Sequence, residues 1–471
     1  MKDRDDSAGV KSLKRYVLLV GIFAAFLTPF LSSAVNLALP AIGSDLHANA
    51  VQLSWIINSF LLSSAVFLLP FGRLGDIVGR KKIFLYGIIL FTVSTFLIIF
   101  SHDIVSLIVL RTFQGFSGAM IFGTSLAIIT SVFPQGERGR AIGITITATY
   151  FGLTAGPVIG GFLTETLGWR SIFALLTPVG LVSIYLILTR MKAEWAEAGG
   201  EKFDSWGSLI YGLSLVAFMY GFSRLRDKSG WICLFSGIVL AIIFLWFEKK
   251  VSNPVFDITL MFRNRIFAFS SLAALINYSA TSATGFFMSL YLQYLKGFDA
   301  RTAGLIMISQ PIAMTLLSPL AGKLSDRKDP GVIASAGMGL TAAGLILLCF
   351  IGPSTPVFQI VLLLILMGTG FGLFSSPNSN AIMSSVEKKN LGIASGVVGT
   401  MRLTGQMLSM GIATMLIVIY LGNREISGVT YPELMHSMKT GFIVFSVLSV
   451  TGIFASLARN KKPDGPAGGH T

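Results

Sequence analysis

Charged residues are scarce in this chain. Only 12% of its 471 residues are Asp, Glu, Lys or Arg, whereas soluble domains average about 25%. Hydrophobic residues make up 53%. This composition excludes an ordinary soluble domain and is typical of a protein that crosses a membrane many times.

Cysteine and histidine are also rare, which limits the chemistry that the chain can support. The two cysteines, Cys233 and Cys349, both lie in apolar runs, and only four histidines are present. The cysteine count excludes a disulfide framework and a thiolate metal site, and no His-Glu-x-x-His pattern occurs. We therefore expect no metal, no other cofactor and no enzymatic activity.

The amino terminus lacks the features of a cleavable signal peptide. The first fifteen residues are hydrophilic, and the apolar run from Tyr16 to Leu39 is longer than the core of a signal sequence. We interpret this run as the first membrane span.

Apolar runs of about 20 residues, the length at which a helix crosses a bilayer, recur along the chain. The fourteen predicted spans are 16–40, 51–72, 82–100, 104–132, 139–165, 170–190, 206–223, 230–247, 266–294, 302–322, 332–351, 357–384, 391–421 and 438–458. The sequence thus predicts an all-α membrane protein with short connections.

The basic residues predict the orientation of these spans. Most of the 36 lysines and arginines fall on the side that carries both termini, and such loops face the cytoplasm. The net charge of +14 is then a topology signal, and we expect no nucleic-acid partner. Arg224, Arg226 and Lys228 are exceptions on the predicted outer side, which either reflects local tolerance or means that this hairpin lies differently.

Glycine and charge alternate between the second and third spans, from Gly72 to Lys82. A looser version, from Gly322 to Lys328, follows the second span of the last six. This repetition indicates two related six-helix halves with an extra pair of spans between them. The predicted units are an N-terminal bundle (1–190), a cytoplasmic linker (191–205), a two-helix insert (206–248), a C-terminal bundle (249–459) and a disordered cytoplasmic tail (460–471).

The fifth span carries a regular series of glycines. Gly152, Gly156 and Gly160 share one helix face and allow a neighbouring helix to approach closely. Pro157 removes a backbone donor and favours a kink, and Gly161 follows the series. Ordinary small-residue packing between helices would give the same glycine spacing.

These motifs resemble the major facilitator superfamily, in its fourteen-helix drug:proton antiporter branch of multidrug and quaternary-ammonium exporters. The resemblance covers nearly the whole chain. It rests on the 72–82 segment, the run from Arg111 to Gly115, the 152–161 segment and the run from Val35 to Pro40. It implies two six-helix bundles related by a pseudo-two-fold axis, with two extra central helices.

The resemblance also implies roles for two of the motifs. The 72–82 segment and its echo are expected to form a latch that holds the cytoplasmic side closed. The 152–161 segment is expected to form a packed seam between the halves that favours export. The expected latch residues are Gly72, Gly75, Asp76, Gly79, Arg80 and Asp326, and the expected seam residues are Gly152, Gly156, Pro157, Gly160 and Gly161.

The chain departs from the branch at the acid that usually couples transport to protons. A buried carboxyl group has a raised pKa and can exchange a proton for a substrate. The position where the branch carries an acid in the first span holds Leu31 here, and no acid lies near the middle of a predicted span. Arg111 and Glu165 are the remaining candidates for proton coupling. Arg111 either snorkels to the outer interface or faces a cavity, where it would offer a counter-charge to an anion.

Polar residues at membrane depth are the candidates for a substrate cavity. Such groups orient a bulky apolar ligand through a few hydrogen bonds, although hydrogen bonding between helices would use the same residues. The candidates are Asn36, Asn58, Gln114, Asn277, Gln310, Asn378 and Arg402.

We therefore expect a secondary active transporter that exports hydrophobic or amphipathic compounds in exchange for protons. The alternative is an uncoupled or differently coupled transporter of a neutral or anionic metabolite, because Leu31 replaces the usual acid. The expected partners are a lipophilic small molecule, protons and the lipid bilayer. We further expect a monomer in a prokaryotic cell membrane, with both termini in the cytoplasm.

Overall fold

The computed structural model describes residues 2–252, 254–256, 258–325, 327–386 and 391–459. This part of the chain is helical and contains fourteen helices long and apolar enough to cross a membrane. They are α1 (Lys2–Asp45), α2 (Ala50–Val78), α3 (Arg80–Ile98), α4 (Ile104–Val132), α5 (Gln135–Leu167), α6 (Arg170–Arg190), α7 (Ser205–Ser223), α8 (Lys228–Glu248), α9 (Arg265–Leu295), α10 (Ala300–Ser325), α11 (Pro330–Leu348), α12 (Val357–Ser384), α13 (Leu391–Tyr420) and α14 (Tyr431–Ala458).

The predicted all-α fold with fourteen spans is confirmed, and the differences lie at helix ends. Helix α14 begins at Tyr431, before the predicted 438, and α1 continues beyond Pro40 to Asp45. A short helix, Ile258–Arg263, precedes α9. The predicted tail, 460–471, lies outside the described residues.

Helix α9 is interrupted in its second half, after Thr281. The backbone N–H of Ala283 donates to the Ser409 hydroxyl of α13 at 3.0 Å, and the helix ends in a π-helical turn, Tyr291–Leu295. Irregular backbone at membrane depth requires a protein partner because lipid offers none. Ser409 is such a partner.

The helices form two bundles with the same internal arrangement. In the first bundle α1 packs on α5, α2 on α4, and α3 on both α4 and α6. In the second, α9 packs on α13, α10 on α12, and α11 on both α12 and α14. Each pair recurs eight helices later, which is the signature of a structural repeat around two extra helices.

The bundles meet along three seams: α1 with α9, α2 with α13, and α5 with α10. The α5–α10 seam is the tightest, because glycines allow the backbones to touch. A Cβ atom on Gly304 would lie 2.2 Å from the Pro157 carbonyl oxygen, and one on Gly161 would lie 2.5 Å from that of Ala300. Neither position has room for a larger residue.

The extra helices α7 and α8 pack on each other, and α7 lies against the α2–α13 seam from outside. The Tyr211 hydroxyl of α7 donates to the Ala65 carbonyl of α2 at 3.1 Å. On the other side, a Cβ on Gly411 of α13 would lie 2.6 Å from the Phe222 ring. The exact borders of the five predicted units stay a prediction.

The basic loop between α7 and α8 has a structural explanation. Arg226 donates to the Ile419 carbonyl at 2.5 Å, in the last turn of α13. A cation at a helix C-terminus satisfies free carbonyl groups and interacts favourably with the helix dipole. This contact accounts for positive charge on the predicted outer side.

We expect Gly304→Ala to destabilise the protein, because the new methyl group would collide with the Pro157 backbone. Overpacking of this kind costs about 1–3 kcal/mol. Gly339→Ala in α11 is the control, since its Cβ would meet nothing within 4 Å. Thermal unfolding in detergent should give a lower midpoint for Gly304→Ala than for Gly339→Ala. Equal midpoints would contradict the close α5–α10 contact.

Candidate functional site: the gate turn and the central cavity

The 72–82 segment is mostly helical rather than a loop. Helix α2 continues to Val78, α3 begins at Arg80, and Gly79 alone connects them. Its φ is 128°, which side-chain-bearing residues rarely adopt. We call residues 72–82 the gate turn. Gly72, Gly75 and Asp76 therefore lie in the last turns of α2, which differs from the expected loop.

Arg80 is the centre of a charge cluster in the gate turn. Its Nε donates to Asp76 Oδ1 at 2.7 Å, and one terminal nitrogen donates to both Glu197 Oε1 and the Ser131 hydroxyl at 2.7 Å. The Arg80 side chain is only 10% exposed. In this conformation Asp76 and Glu197 are thus the two acids that pair with Arg80. Asp326 lies outside the described residues.

The linker that follows α6 folds back onto the gate turn. The Arg80 backbone N–H donates to the Trp195 carbonyl at 2.8 Å, and the Ala198 N–H donates to the Asp76 carbonyl at 2.9 Å. Glu194 accepts from the Lys81 backbone N–H at 2.8 Å. The linker acids thus balance the basic residues of the gate turn. The sequence analysis did not predict this contact, and the close spacing of Glu194, Glu197 and Glu201 is the signal that could have indicated it.

Arg111 is buried inside the first bundle and does not snorkel. It is 1% exposed, donates to the Ile56 carbonyl at 3.1 Å and donates to Gln114 Oε1 at 2.8 Å. Gln114 in turn donates to the Thr95 hydroxyl at 2.8 Å, and the Phe60 ring covers the guanidinium at 4.6 Å. Both Arg111 and Gln114 are therefore internal ties between α2, α3 and α4 and do not face a substrate cavity.

The glycines of α5 serve two different contacts. Cβ atoms on Gly152, Gly156 and Gly160 would lie within 3 Å of α1, in the same bundle. Pro157 and Gly161 face α10 of the other bundle. The expectation that the whole series forms the seam between halves is therefore wrong for the three spaced glycines, because the four-residue period follows a face that is turned toward α1.

Three amides among the cavity candidates are buried, and two of them are hydrogen-bonded to other helices. Asn58 donates to the Thr414 hydroxyl at 2.7 Å and ties α2 to α13. Asn378 donates to the Ser270 carbonyl at 3.0 Å and accepts from Arg459 at 3.1 Å. Asn277 is fully buried, and neither atom of its amide has a partner in the described structure.

Arg459 was missed by the sequence because it lies just beyond α14. It is 3% exposed and also donates to the Gly331 carbonyl at 2.8 Å. Burial lowers the pKa of Arg459 to about 10, and Asp329 opposes this shift. It ties α9, α11, α12 and α14 together at the predicted cytoplasmic end of the second bundle.

The remaining candidates, Asn36, Gln310 and Arg402, are partly exposed. Asn36 lies at the α1–α9 seam, where its carbonyl accepts from the Ser289 hydroxyl at 2.6 Å. Arg402 lies in α13 with its guanidinium 5.5 Å from the Phe122 ring of α4. It thus reaches from the second bundle to the first.

Arg402 has aromatic neighbours in both bundles. Besides Phe122 of α4, Tyr278 of α9 lies near Arg402, and Tyr278 also has Tyr150 of α5 and the Ser375 hydroxyl of α12 as neighbours. The Tyr150 hydroxyl is 3.3 Å from that of Ser318. Phe122, Tyr150, Tyr278, Ser375 and Arg402, which we call the central site, therefore form a series of neighbours that crosses from one bundle to the other.

A family model described as Major Facilitator Superfamily matches residues 21–262 and 270–470. The chain belongs to the major facilitator superfamily. It is thus a membrane transporter and not an enzyme, and it lies in the multidrug-type branch that its motifs resemble.

Named relatives of this transporter differ in their cargo. It is 30% identical to the riboflavin transporter RibZ of Clostridioides difficile, over 83% of this chain and 85% of that protein. It is 30% identical to the multidrug resistance protein Stp of Mycobacterium tuberculosis (83% and 73%), and 28% identical to the tetracenomycin C resistance and export protein of Streptomyces glaucescens (83% and 74%). A mutant of the nucleoside transporter NupG shares the fold, with a TM-score of 0.62 at 15% identity, over 95% of this chain and 100% of that one.

The spanning helices of this superfamily member carry acids only near their ends. In the described residues, Asp76, Glu165 and Glu433 each lie within one turn of a helix terminus. Glu165, a predicted coupling candidate, is exposed near the end of α5.

The structure instead shows a buried pair of acids, Asp204 and Glu248, at the predicted cytoplasmic ends of α7 and α8. They are 9% and 3% exposed. A Cβ atom on Gly207 would lie 2.2 Å from Asp204 Oδ2 and 2.6 Å from Glu248 Oε1, so the two oxygens face the same small space. No described residue donates a hydrogen bond to either oxygen. The sequence placed both residues at span ends but gave no sign that they meet.

The contact between linker and gate turn predicts a charge-swap rescue. Arg73 and Glu201 form an ion pair with side chains 22% and 41% exposed. We expect Glu201→Arg to lower the thermal unfolding midpoint and the double variant Arg73→Glu, Glu201→Arg to recover most of the loss. The coupling energy should be about 0.2–1 kcal/mol, as for exposed pairs. Additive effects would show that the linker does not bind the gate turn in solution.

The Arg111 network predicts a stability cost at Gln114. Gln114→Leu removes the acceptor of a buried guanidinium and the donor to Thr95, which should cost about 1.5–3 kcal/mol. Gln406→Leu is the control, because Gln406 is partly exposed and such sites change stability by about 0.5 kcal/mol or less. The measurement is thermal unfolding in detergent, and a Gln114→Leu midpoint as high as that of the control would disprove the network.

Proposed function

We propose that this transporter exports hydrophobic and amphipathic compounds by alternating access. The observation that carries the proposal is the central site, where partly exposed aromatic and polar groups of both bundles converge. Such a site suits bulky ligands with few oriented hydrogen bonds. In transporters built from repeats, substrates bind at this depth between the repeats.

The contacts between bundles support a state that is closed on the predicted outer side. The Gln293 amide donates to the Leu37 carbonyl at 2.9 Å, and the Ala50 N–H donates to the Arg424 carbonyl at 3.3 Å. Gly161 meets Ala300 at the same end. Alternating access would break these contacts and form new ones at the opposite end.

The gate turn would be the latch of this cycle. Arg80, Asp76 and the linker acids hold it to the first bundle, so it would move as part of that bundle. Gly72, Gly75 and Gly79 allow the gate turn to pack closely against its neighbours. Asp326 would be the corresponding latch residue of the second bundle. Both termini would lie in the cytoplasm of a prokaryotic cell, so the latch would close the cytoplasmic side of the transporter. The transporter would function as a monomer.

Proton exchange would drive export in this proposal, and the acid pair is the best-placed carrier. Two carboxyl oxygens that face each other repel strongly unless a proton lies between them. Asp204 and Glu248 are therefore better suited to bind and release a proton than Arg111, whose N–H groups already have acceptors, or Glu165, which is exposed.

An uncoupled or differently coupled transporter is the second candidate. It is favoured by the absence of an acid from the middle of every described span. Such a protein would carry its substrate down a gradient by the same alternation.

Flux in proteoliposomes tests the function and its coupling. We expect counterflow of riboflavin or of lipophilic dyes, and faster flux when a pH gradient is imposed. Glu248→Gln should abolish the response to the gradient, while the exposed control Glu165→Gln should keep it. If flux through the wild-type protein does not change with the pH gradient, proton coupling is disproved. If no compound in a broad lipophilic panel shows counterflow, the export proposal is disproved.

A further inference from the structure

Resting on the proposed function, we infer that Arg402 is the recognition group of the central site and that it selects planar aromatic anions. The inference concerns the charge of the substrate, which the export proposal leaves open. It is carried by an arginine within a spanning helix that has aromatic neighbours but no hydrogen-bond or ion-pair partner in the described structure.

The absence of a partner is unusual for a charge in this position. No described residue accepts a hydrogen bond from Arg402 or forms an ion pair with it, and its Nε is buried. A cation at the centre of a span costs about 2.5–3.5 kcal/mol on insertion scales and marks a functional site by default. A ligand anion would offset this cost whenever the site is occupied.

Arg402 and Phe122 lie at matching heights in their helices. Arg402 is eleven residues from the start of α13 at Leu391, and Phe122 is ten residues before the end of α4 at Val132. At a rise of about 1.5 Å per residue, each lies roughly 15 Å along its helix from an end, more than two turns inside a helix long enough to cross a bilayer.

Arg111 shows by contrast that burial alone does not leave an arginine free. Its guanidinium is tied to Ile56 and Gln114 and covered by Phe60. The chain thus supplies partners where an arginine only supports the fold. At Arg402 it leaves both terminal nitrogens without a described hydrogen-bond partner.

The charges around the site favour an anion. Arg402 has Phe122 of α4 and Tyr278 of α9 as neighbours, and Tyr278 in turn lies near Tyr150 of α5 and Ser375 of α12. None of these side chains is a carboxylate, and the acids of the described spans lie near helix ends. A cationic substrate would meet a like charge with no compensating acid.

The neighbouring aromatics define the shape of the ligand. Phe122 and the two tyrosines offer faces and edges for stacking, which favours flat rings. A guanidinium binds a carboxylate or sulfonate through two parallel hydrogen bonds, which a lysine does not reproduce. The matching substrate is a fused aromatic ring system that carries an acidic group.

Two dyes with the same ring system test the charge preference. Fluorescein is a xanthene anion at neutral pH, and tetramethylrhodamine ethyl ester is a xanthene cation. We would measure binding of each by fluorescence anisotropy to the full chain in lipid nanodiscs, with empty nanodiscs subtracted. The wild type should bind the anion at least tenfold more tightly than the cation.

Substitutions then assign the preference to Arg402. Arg402→Gln should weaken anion binding about tenfold and bring the two dyes close to equal affinity, and Arg402→Lys should restore only part of the difference. The control is Arg301→Gln, because Arg301 is an exposed arginine at the outer end of α10. It should leave both affinities unchanged, and thermal unfolding of each variant confirms folding.

Three results would overturn the inference. These are binding of neither dye, equal or tighter binding of the cation by the wild type, and unchanged anion binding in folded Arg402→Gln. Counterflow of fluorescein in proteoliposomes separates the two proposals. Charge-selective binding without counterflow would disprove export and leave the anion site standing. Counterflow without a charge preference in binding would support export and disprove the anion site.

Discussion

A bilayer core offers no hydrogen-bond partners, and the polar groups of this transporter are arranged around that constraint. Backbone breaks occur where another helix supplies a partner, as Ser409 does for α9. The two arginines within spans show the two solutions to the same problem. Arg111 is satisfied by the protein around it, whereas Arg402 lies near the Phe122 ring of the other bundle without a described hydrogen-bond partner. Arg111 ties helices within one bundle, and Arg402 reaches across to the other.

Close backbone contact is the second principle of the fold. Glycines on α5 serve α1 on one face and α10 on another, so a single helix links the inside of a bundle to the seam between bundles. Packed interfaces of this kind have discrete arrangements rather than a continuous range. Helix α1, which packs on α5, itself lies on the α1–α9 seam, so α1 and α5 together connect two of the three seams.

The sequence predicted the spans and the family because hydropathy and short motifs are local properties. It did not predict which groups meet across long stretches of chain. The linker acids reach the gate turn only because α3 to α6 bring the chain back to it. Asp204 and Glu248 are 44 positions apart in number but adjacent in space because α7 and α8 form a hairpin. The sequence also did not predict which neighbouring helix a side chain faces. The helical period assigns Gly152 and Arg111 to a face of their helices but does not show which helix packs against that face.

The position of α7 makes the two long seams between the bundles unequal toward the surrounding lipid. Tyr211 and Phe222 cover the α2–α13 seam from outside. The α5–α10 seam has no such cover in the described structure, and exposed side chains such as Phe162 and Leu305 line a groove of about 270 Å³ beside it. A molecule dissolved in one leaflet of the bilayer would therefore find the α2–α13 seam covered by α7 and the α5–α10 seam uncovered. The extra helix pair therefore makes the two lipid-facing flanks of the transporter different, whereas two symmetric bundles alone would have equivalent flanks.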